Sequence, residues 1–181
     1  IQQAIETEDT NQLAAVVRAH DRMESLIEDM LLLARKGEVI GSTEPTSVET
    51  VAQKAWATVD SRDVEFAVEG TLEITADPSR LQQVFENLFR NAVEHGGPEL
   101  TVTVRCHNDR FSIADDGRGF DGEPPQFEPD TREAESGLGL SIVSKIVEAH
   151  GWSITAHDRN TDGCQFEITG FETAETSSPE T

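Results

Sequence analysis

The stretch from Asp77 to Pro98 constrains this chain most. Leu81, Val84, Phe85, Leu88, Phe89 and Ala92 recur at helical spacing and predict one amphipathic helix. Asp77 suits its cap, Pro78 its first turn, and Gly96-Gly97-Pro98 its end. A helix face of such large apolar side chains must be covered by other elements. The neighbouring segments supply them. Val48, Val51, Ala52, Ala55 and Val59, with Trp56 nearby, suggest a preceding helix. Val64, Phe66 and Val68 alternate as a strand, and Leu72 and Ile74 as another. Leu100, Val102, Val104 and Cys106 form a strand, Asn108-Asp109 turns it, and Phe111 and Ile113 return. Leu138 to His150 reads as a helix closed by Gly151, and Ile154 with Phe166 and Ile168 as a last hairpin. Helices and neighbouring antiparallel strands in blocks predict an α+β fold, a two-layer α/β sandwich.

A different pattern precedes this domain. Leu13, Val16, His20, Met23, Ile27, Met30 and Ala34 follow a heptad seam within a predicted helix over 10–36, stopped by Gly37. One helix cannot bury such a seam alone, so a helical bundle, most simply dimeric, is expected. The expected divisions are a bundle helix over 1–37, a linker over 38–46, a domain over 47–171 and an acidic, disordered tail over 172–181. The opening residue, Ile1, carries no leader, and the expectation is a segment of a longer protein.

Charge narrows the function. The 181 residues include 35 acidic and 14 basic ones, a formal net charge of −21. Nucleic-acid phosphates need clustered Lys and Arg, so nucleic-acid binding is excluded, and so is binding to an anionic membrane surface. There is no apolar run long enough to span a bilayer. The two cysteines, Cys106 and Cys164, are too few for a disulfide framework and are expected as reduced thiols in a cytoplasmic protein. Only three of the basic residues are Lys. An acidic, lysine-poor chain suits concentrated salt, where the Debye length falls to roughly 3 Å at about 1 M. A halophilic, haloarchaeal protein is expected.

Three signals carry chemistry. Gln83, Asn87, Asn91 and His95 share one face of the central helix. Elsewhere this chain fills its surfaces with Asp and Glu, and Asn is a poor helix former. Neutral amide oxygens one turn apart suit Mg²⁺ that already carries phosphate oxygens. The second signal is Asp115-Asp116-Gly117-Arg118-Gly119, directly after a strand. A carboxylate accepts hydrogen bonds only, so it takes the exocyclic amine of adenine and disfavours guanine. The third is Gly137-Leu138-Gly139-Leu140 opening a helix, whose free N–H groups suit an anion. No Walker A pattern is present.

In this order the three signals resemble the ATP-binding domain of sensor histidine kinases, a Bergerat-type fold shared with gyrase, the mismatch-repair ATPases and the heat-shock chaperone. The resemblance covers about 47–171 and is most specific over Leu81 to His95, Asp115 to Gly119 and Gly137 to Gly151. Arg22-Met23 and Leu26 to Arg35 resemble the second helix of the family's dimerisation and phosphoacceptor domain. The resemblance implies ATP and Mg²⁺ as cofactors and Asn87 and Asn91 as catalytic residues. Asn91 would be the Mg²⁺ ligand and Asn87 would lie near the phosphates. Asp115 would bind the adenine amine, Gly117 and Gly119 would shape that pocket, and His95 would touch the nucleotide. Gly137, Leu138, Gly139 and Leu140 would border the phosphates, 121–136 would form a lid, and Phe127 would stand for the family's aromatic box. Partners would be a second copy, through the helical bundle, and a response-regulator receiver domain, with no direct membrane contact from this segment.

There are departures. Glu94 stands where the family often has Lys, Glu135 where it often has Gly, and the lid is short. Positive charge near the phosphates would come from Mg²⁺, the helix end, and Arg90 or Arg132. The family's ATP-hydrolysing relatives carry Glu where Asn87 stands, and an amide cannot take a proton at neutral pH. A kinase delivering the γ-phosphoryl to another nucleophile fits that change. Glu86 lies about 100° round the helix and is not that base. His20 lacks the family's following Thr/Asn-Pro and lies in the wrong helix, so the phosphoacceptor His would be upstream of Ile1. The alternative is an ATP-hydrolysing or non-catalytic dimerisation module of the same superfamily.

Overall fold

The central helix begins and ends where its punctuation requires. Helix α2, Pro78–His95, is capped by Asp77, whose side chain accepts from the N–H groups of Ser79 and Arg80. Its apolar face is fully covered: Leu81, Val84, Phe85, Leu88 and Phe89 are buried. The computed structural model describes residues 39–59, 64–97, 99–120, 122–127, 137–159 and 163–173. The chain divides into two compact units, Ile1–Lys36 and Gly37–Thr181. The heptad helix expected over 10–36, His20 included, lies outside the described residues.

The order of the second unit is β1 (Glu44–Ser47), α1 (Val48–Trp56), β2 (Glu65–Glu69), β3 (Glu73–Ala76), α2, β4 (Thr101–Cys106), β5 (Arg110–Asp115), α3 (Gly137–Ala149), β6 (Ser153–Asp158) and β7 (Cys164–Thr169). Five strands form one sheet in the order β2-β4-β5-β7-β6. Alternation places one row of side chains against the helices. Val104 pairs with Ile113, and Ile113 with Phe166. Cys106 pairs with Phe111, and Phe111 with Ile168. On the opposite face of β5, Ser112 and Ala114 are buried too, because they sit between the longer Arg105 and Glu167 and between Thr103 and Gln165. A chain of ring contacts joins the layers: Trp56 stacks on Phe66 at 4.6 Å, Phe66 meets Phe89 at 5.4 Å, and Phe85 meets Phe111 at 5.7 Å. The architecture is α+β, with helices packed on a sheet.

Three expectations need correction. The strands are not all antiparallel, because β2 runs parallel to β4. The linker expected over 38–46 is partly structured: β1 pairs with β3 as a separate two-stranded sheet, from Glu44↔Ala76 to Ser47↔Glu73. The first two residues of the tail expected over 172–181 are held: Glu172 accepts from the Thr75 N–H at 3.0 Å and Thr173 bridges Ile74, while 174–181 lie outside the described residues. In the last two cases β3 offers an edge whose N–H and C=O groups need partners, and the nearby chain supplies them.

Candidate functional site

Asn87 and Asn91 project from α2 towards the first turn of α3. Asn87 is buried, and its Nδ2 donates to the Gln83 carbonyl at 2.9 Å, which leaves Oδ1 facing outward from α2. A Cβ on Gly139 would lie 3.0 Å from Asn87 Oδ1 and 3.6 Å from Asn91 Oδ1. Both amide oxygens therefore converge on the backbone of a helix start, and the glycine permits the approach. Glu86 faces the other way, accepting from Thr58 Oγ1 at 3.2 Å and from Gln82 Nε2 at 2.8 Å.

Asp115 ends the row of β5 side chains that faces the helices. Phe111 and Ile113 precede it in that row, so the core face passes from apolar contacts to a carboxylate within one strand. Asp115 is 6% exposed. Its Oδ1 accepts from the N–H groups of Gly117 at 3.0 Å and Cys164 at 3.3 Å, and its Oδ2 accepts from the Cys164 thiol at 2.8 Å. Burial, then the hydrogen bond and charge of Asp115, push the Cys164 thiol far above its ordinary range, so it stays protonated and donates. Oδ2 keeps acceptor capacity for a further donor.

The loop after Asp115 packs against the end of α2. Arg118 N–H donates to Gly96 O at 3.2 Å, and a Cβ on Gly117 would fall 2.5 Å from Gly96 Cα. Gly119 has φ +75, beside Asp158 Oδ1. Asp116 anchors the loop, its Oδ1 accepting from the Thr101 N–H at 2.6 Å. Thus the Asn-bearing face, the Asp115 loop and the glycine-rich helix start all border α2.

Of the expected site residues, Asn87, Asn91 and Gly139 meet directly, and Asp115, Gly117 and Gly119 form one loop that packs on Gly96 at the end of α2. Gly137, Leu138 and Leu140 lie in the same first turn of α3. His95 is exposed at the last residue of α2, next to Gly96, on which the Asp115 loop packs. Phe127 packs on Phe166 at 6.3 Å, as does Phe120 at 5.7 Å. Most of the expected lid, residues 121 and 128–136, lies outside the described residues, and with it Arg132 and Glu135. Arg118 is a cation at the end of α2, its Nε 3.3 Å from where a Cβ on Gly97 would lie.

Four residues at the carboxylate are additional to the expectation. Cys164 is one. Gly163, at φ +90, passes directly beneath the Asp115 carbonyl, which also accepts from Arg159 Nη1 at 3.1 Å. Asp158 accepts from the Phe120 N–H at 3.2 Å. The sequence offered one signal for Cys164: alternation back from Ile168 and Phe166 assigns it the core face. Its contact with Asp115 needed the register, in which Ala114 pairs with Gln165.

The fold and site together define an α+β sandwich with a carboxylate, paired amides and a helix start grouped at one helix. Residues 76–173, more than half of the chain, match the family described as histidine kinase-, DNA gyrase B-, and HSP90-like ATPase, and the chain belongs to it. It is 35% identical over 175 residues to the sensor histidine kinase ZraS of Klebsiella oxytoca, covering 87% of this chain and 37% of that protein. It is 33% identical over 172 residues to the sensor histidine kinase TrcS of Mycobacterium tuberculosis, covering 82% and 34%. The chain thus spans about a third of the length of these curated relatives. Among solved structures, full-length ShkA in complex with AMPPNP aligns with a TM-score of 0.65 at 28% identity, over 92% of this chain and 40% of that one. Among the described residues no helix is long and apolar enough to cross a membrane.

Proposed function

We propose that this chain is the ATP-binding catalytic part of a two-component sensor histidine kinase. Its role is to hold Mg-ATP while the γ-phosphoryl passes to a histidine outside this sequence, for relay to a response-regulator aspartate. The convergence of the Asn87 and Asn91 amide oxygens on Gly139 carries this reading.

The residues fit the cofactors. Among the described residues no group of three or more His, Cys, Asp or Glu could hold a metal ion. Two hard, neutral amide oxygens leave most of a divalent cation's shell to other oxygens, and phosphate oxygens suit that arrangement. Bound there, Mg²⁺ supplies charge neutralisation at the phosphates. Asn91 is its protein ligand, and Asn87 orients the phosphates. The free N–H groups of Gly137 to Leu140 receive anionic oxygens at the start of α3. Asp115 accepts the adenine amine through Oδ2, with Gly117 and Gly119 shaping the turn around the base.

The site holds ATP without activating water against it. Asn87 cannot take a proton, and Glu86 is engaged with Thr58 and Gln82 on the other side of α2. Positioning and charge stabilisation suffice for transfer to another nucleophile. On this reading residues 1–37 are the second helix of a dimeric bundle, His20 is a seam residue, and the segment works in the cytoplasm.

The test uses a protein extended upstream through the preceding bundle helix, given γ-labelled ATP and Mg²⁺ in molar KCl. Acid-labile label bound to histidine is expected. Asn91→Ala should cut it at least about 10-fold, since even outer-shell changes at metal sites cost that much. Free phosphate without bound label establishes an ATPase instead, and neither product a non-catalytic module.

The charge of −21 on 181 residues supports a halophilic protein. The melting temperature of this chain should rise steadily from about 0.1 M to about 1 M KCl, as screening shortens the range of self-repulsion. A midpoint that is flat or falls with salt refutes it.

A further inference from the structure

We propose that His150 is a positioning residue: it ties the two nucleotide-bearing helices together at their ends remote from the site, and protonation of its ring releases that tie and weakens nucleotide binding. The proposal rests on the nucleotide reading above.

Helices α2 and α3 run antiparallel. At one end Asn87 and Asn91 face Gly139. At the other, the Asp77 N–H donates to His150 Nε2 at 3.1 Å. His150 Nδ1 lies 2.8 Å from the Ile146 carbonyl. A carbonyl only accepts and an N–H only donates, so the two partners select the neutral tautomer with hydrogen on Nδ1. Asp77 is a junction in its own right. Its Oδ1 accepts from Ser79 N–H, Ser79 Oγ and Arg80 N–H, and its Oδ2 from the Gly41 N–H at 2.7 Å. One residue therefore joins the segment entering the domain, the start of α2 and the end of α3.

Protonation breaks this arrangement. A proton taken from solvent at Nε2 sets an N–H against the Asp77 N–H, and both can only donate. The ring must turn or the helix ends must part. Turning is opposed, because the ring is stacked on Trp152 at 4.1 Å and Asp77 Oδ1 already accepts three hydrogen bonds. Asp77 is the charge acting on the ring among the described residues; Trp152 and the Ile146 carbonyl are its uncharged neighbours. Burial opposes the charged ring and holds its pKa below the ordinary value, only partly offset by the Ile146 carbonyl and Asp77. The tie therefore outlasts the ordinary His range and is lost only as pH falls through the ring's lower folded value, while the stability it contributes starts to decline once pH drops below the ordinary value. Asn87 is ten residues along α2 from Asp77, about 15 Å away. Packed helices transmit displacement over that distance as stiff elements.

The test compares this chain with His150→Gln, whose amide oxygen can accept from Asp77 N–H but never protonates. Mg-ATP affinity is titrated from about pH 7.5 to about pH 4.5, a span that runs from above the ordinary His value to well below it. The wild-type chain should lose about fivefold more affinity than His150→Gln across that span. By linkage, Mg-ATP should also lower the pKa of the His150 ring, read by NMR on the wild-type chain. Parallel pH profiles, or a ring pKa untouched by Mg-ATP, overturn the proposal. If His150→Gln does not fold, the NMR titration alone decides. A folded wild-type chain that binds no Mg-ATP at neutral pH removes the nucleotide reading itself, and this proposal with it.

Discussion

Asp115→Asn should weaken ATP binding by roughly 10- to 100-fold, the range expected for a hydrogen bond to a charged group. The fold should survive. The amide keeps an oxygen where Oδ1 accepts from Gly117 and Cys164, so that turn remains satisfied. The change falls at Oδ2, which becomes an NH₂ facing the Cys164 sulfur and the proposed adenine amine. A donor then meets a donor at adenine, whereas guanine presents an acceptor there. The preference for ATP over GTP should narrow or reverse. Calorimetric titration with both nucleotides measures it, and unchanged ATP affinity would place the base elsewhere. Asp115→Ala is the poorer experiment, because it orphans the Gly117 and Cys164 N–H groups and confounds folding with binding.

Gly163→Ala should damage both the domain and the site. The glycine sits at φ +90, and an added Cβ would overlap the Asp115 carbonyl oxygen and lie 2.8 Å from Asp116 Cα. The obstacle is backbone, so no side chain can swing aside. A loss on the order of 3 kcal/mol or more is expected, and a fall in Tm of roughly 10 °C. ATP affinity should fall with it, because relief of the overlap displaces Asp115. Gly151→Ala is the control. It shares the left-handed backbone at φ +75 but has open space around it, so only the strain of about 1–2 kcal/mol applies. Equal melting temperatures for the two variants would show that the close approach at Asp115 has no energetic weight.

Local rules made much of this domain legible. Asp77 and Pro78 start α2 and its apolar spacing sets the buried face, because caps and periodicity act within a few residues. Alternation along Phe111 and Ile113 likewise assigns Asp115 to the face towards the helices. The neutral Asn stripe stood out against an acidic chain. Long-range pairing was another matter. The parallel β2–β4 ladder joins residues either side of α2, and β1 reaches across α1 and β2 to β3. Neither leaves a mark in the segments concerned, since any strand with a buried face can pair in either sense.

The same boundary runs through the site. The sequence by itself determined the chemical groups: two amides one turn apart, a carboxylate at a strand end, and glycines at a helix start. Those follow from residue type and from the periods of helix and strand. Only the tertiary structure decided which partners those groups would meet. It set Cys164 opposite Asp115, Gly163 beneath its carbonyl, and His150 on the N–H of Asp77. The physical reason is distance along the chain. Hydrogen-bond partners 49 or 73 residues apart come together through sheet register and helix packing, which are properties of the whole core and not of either segment.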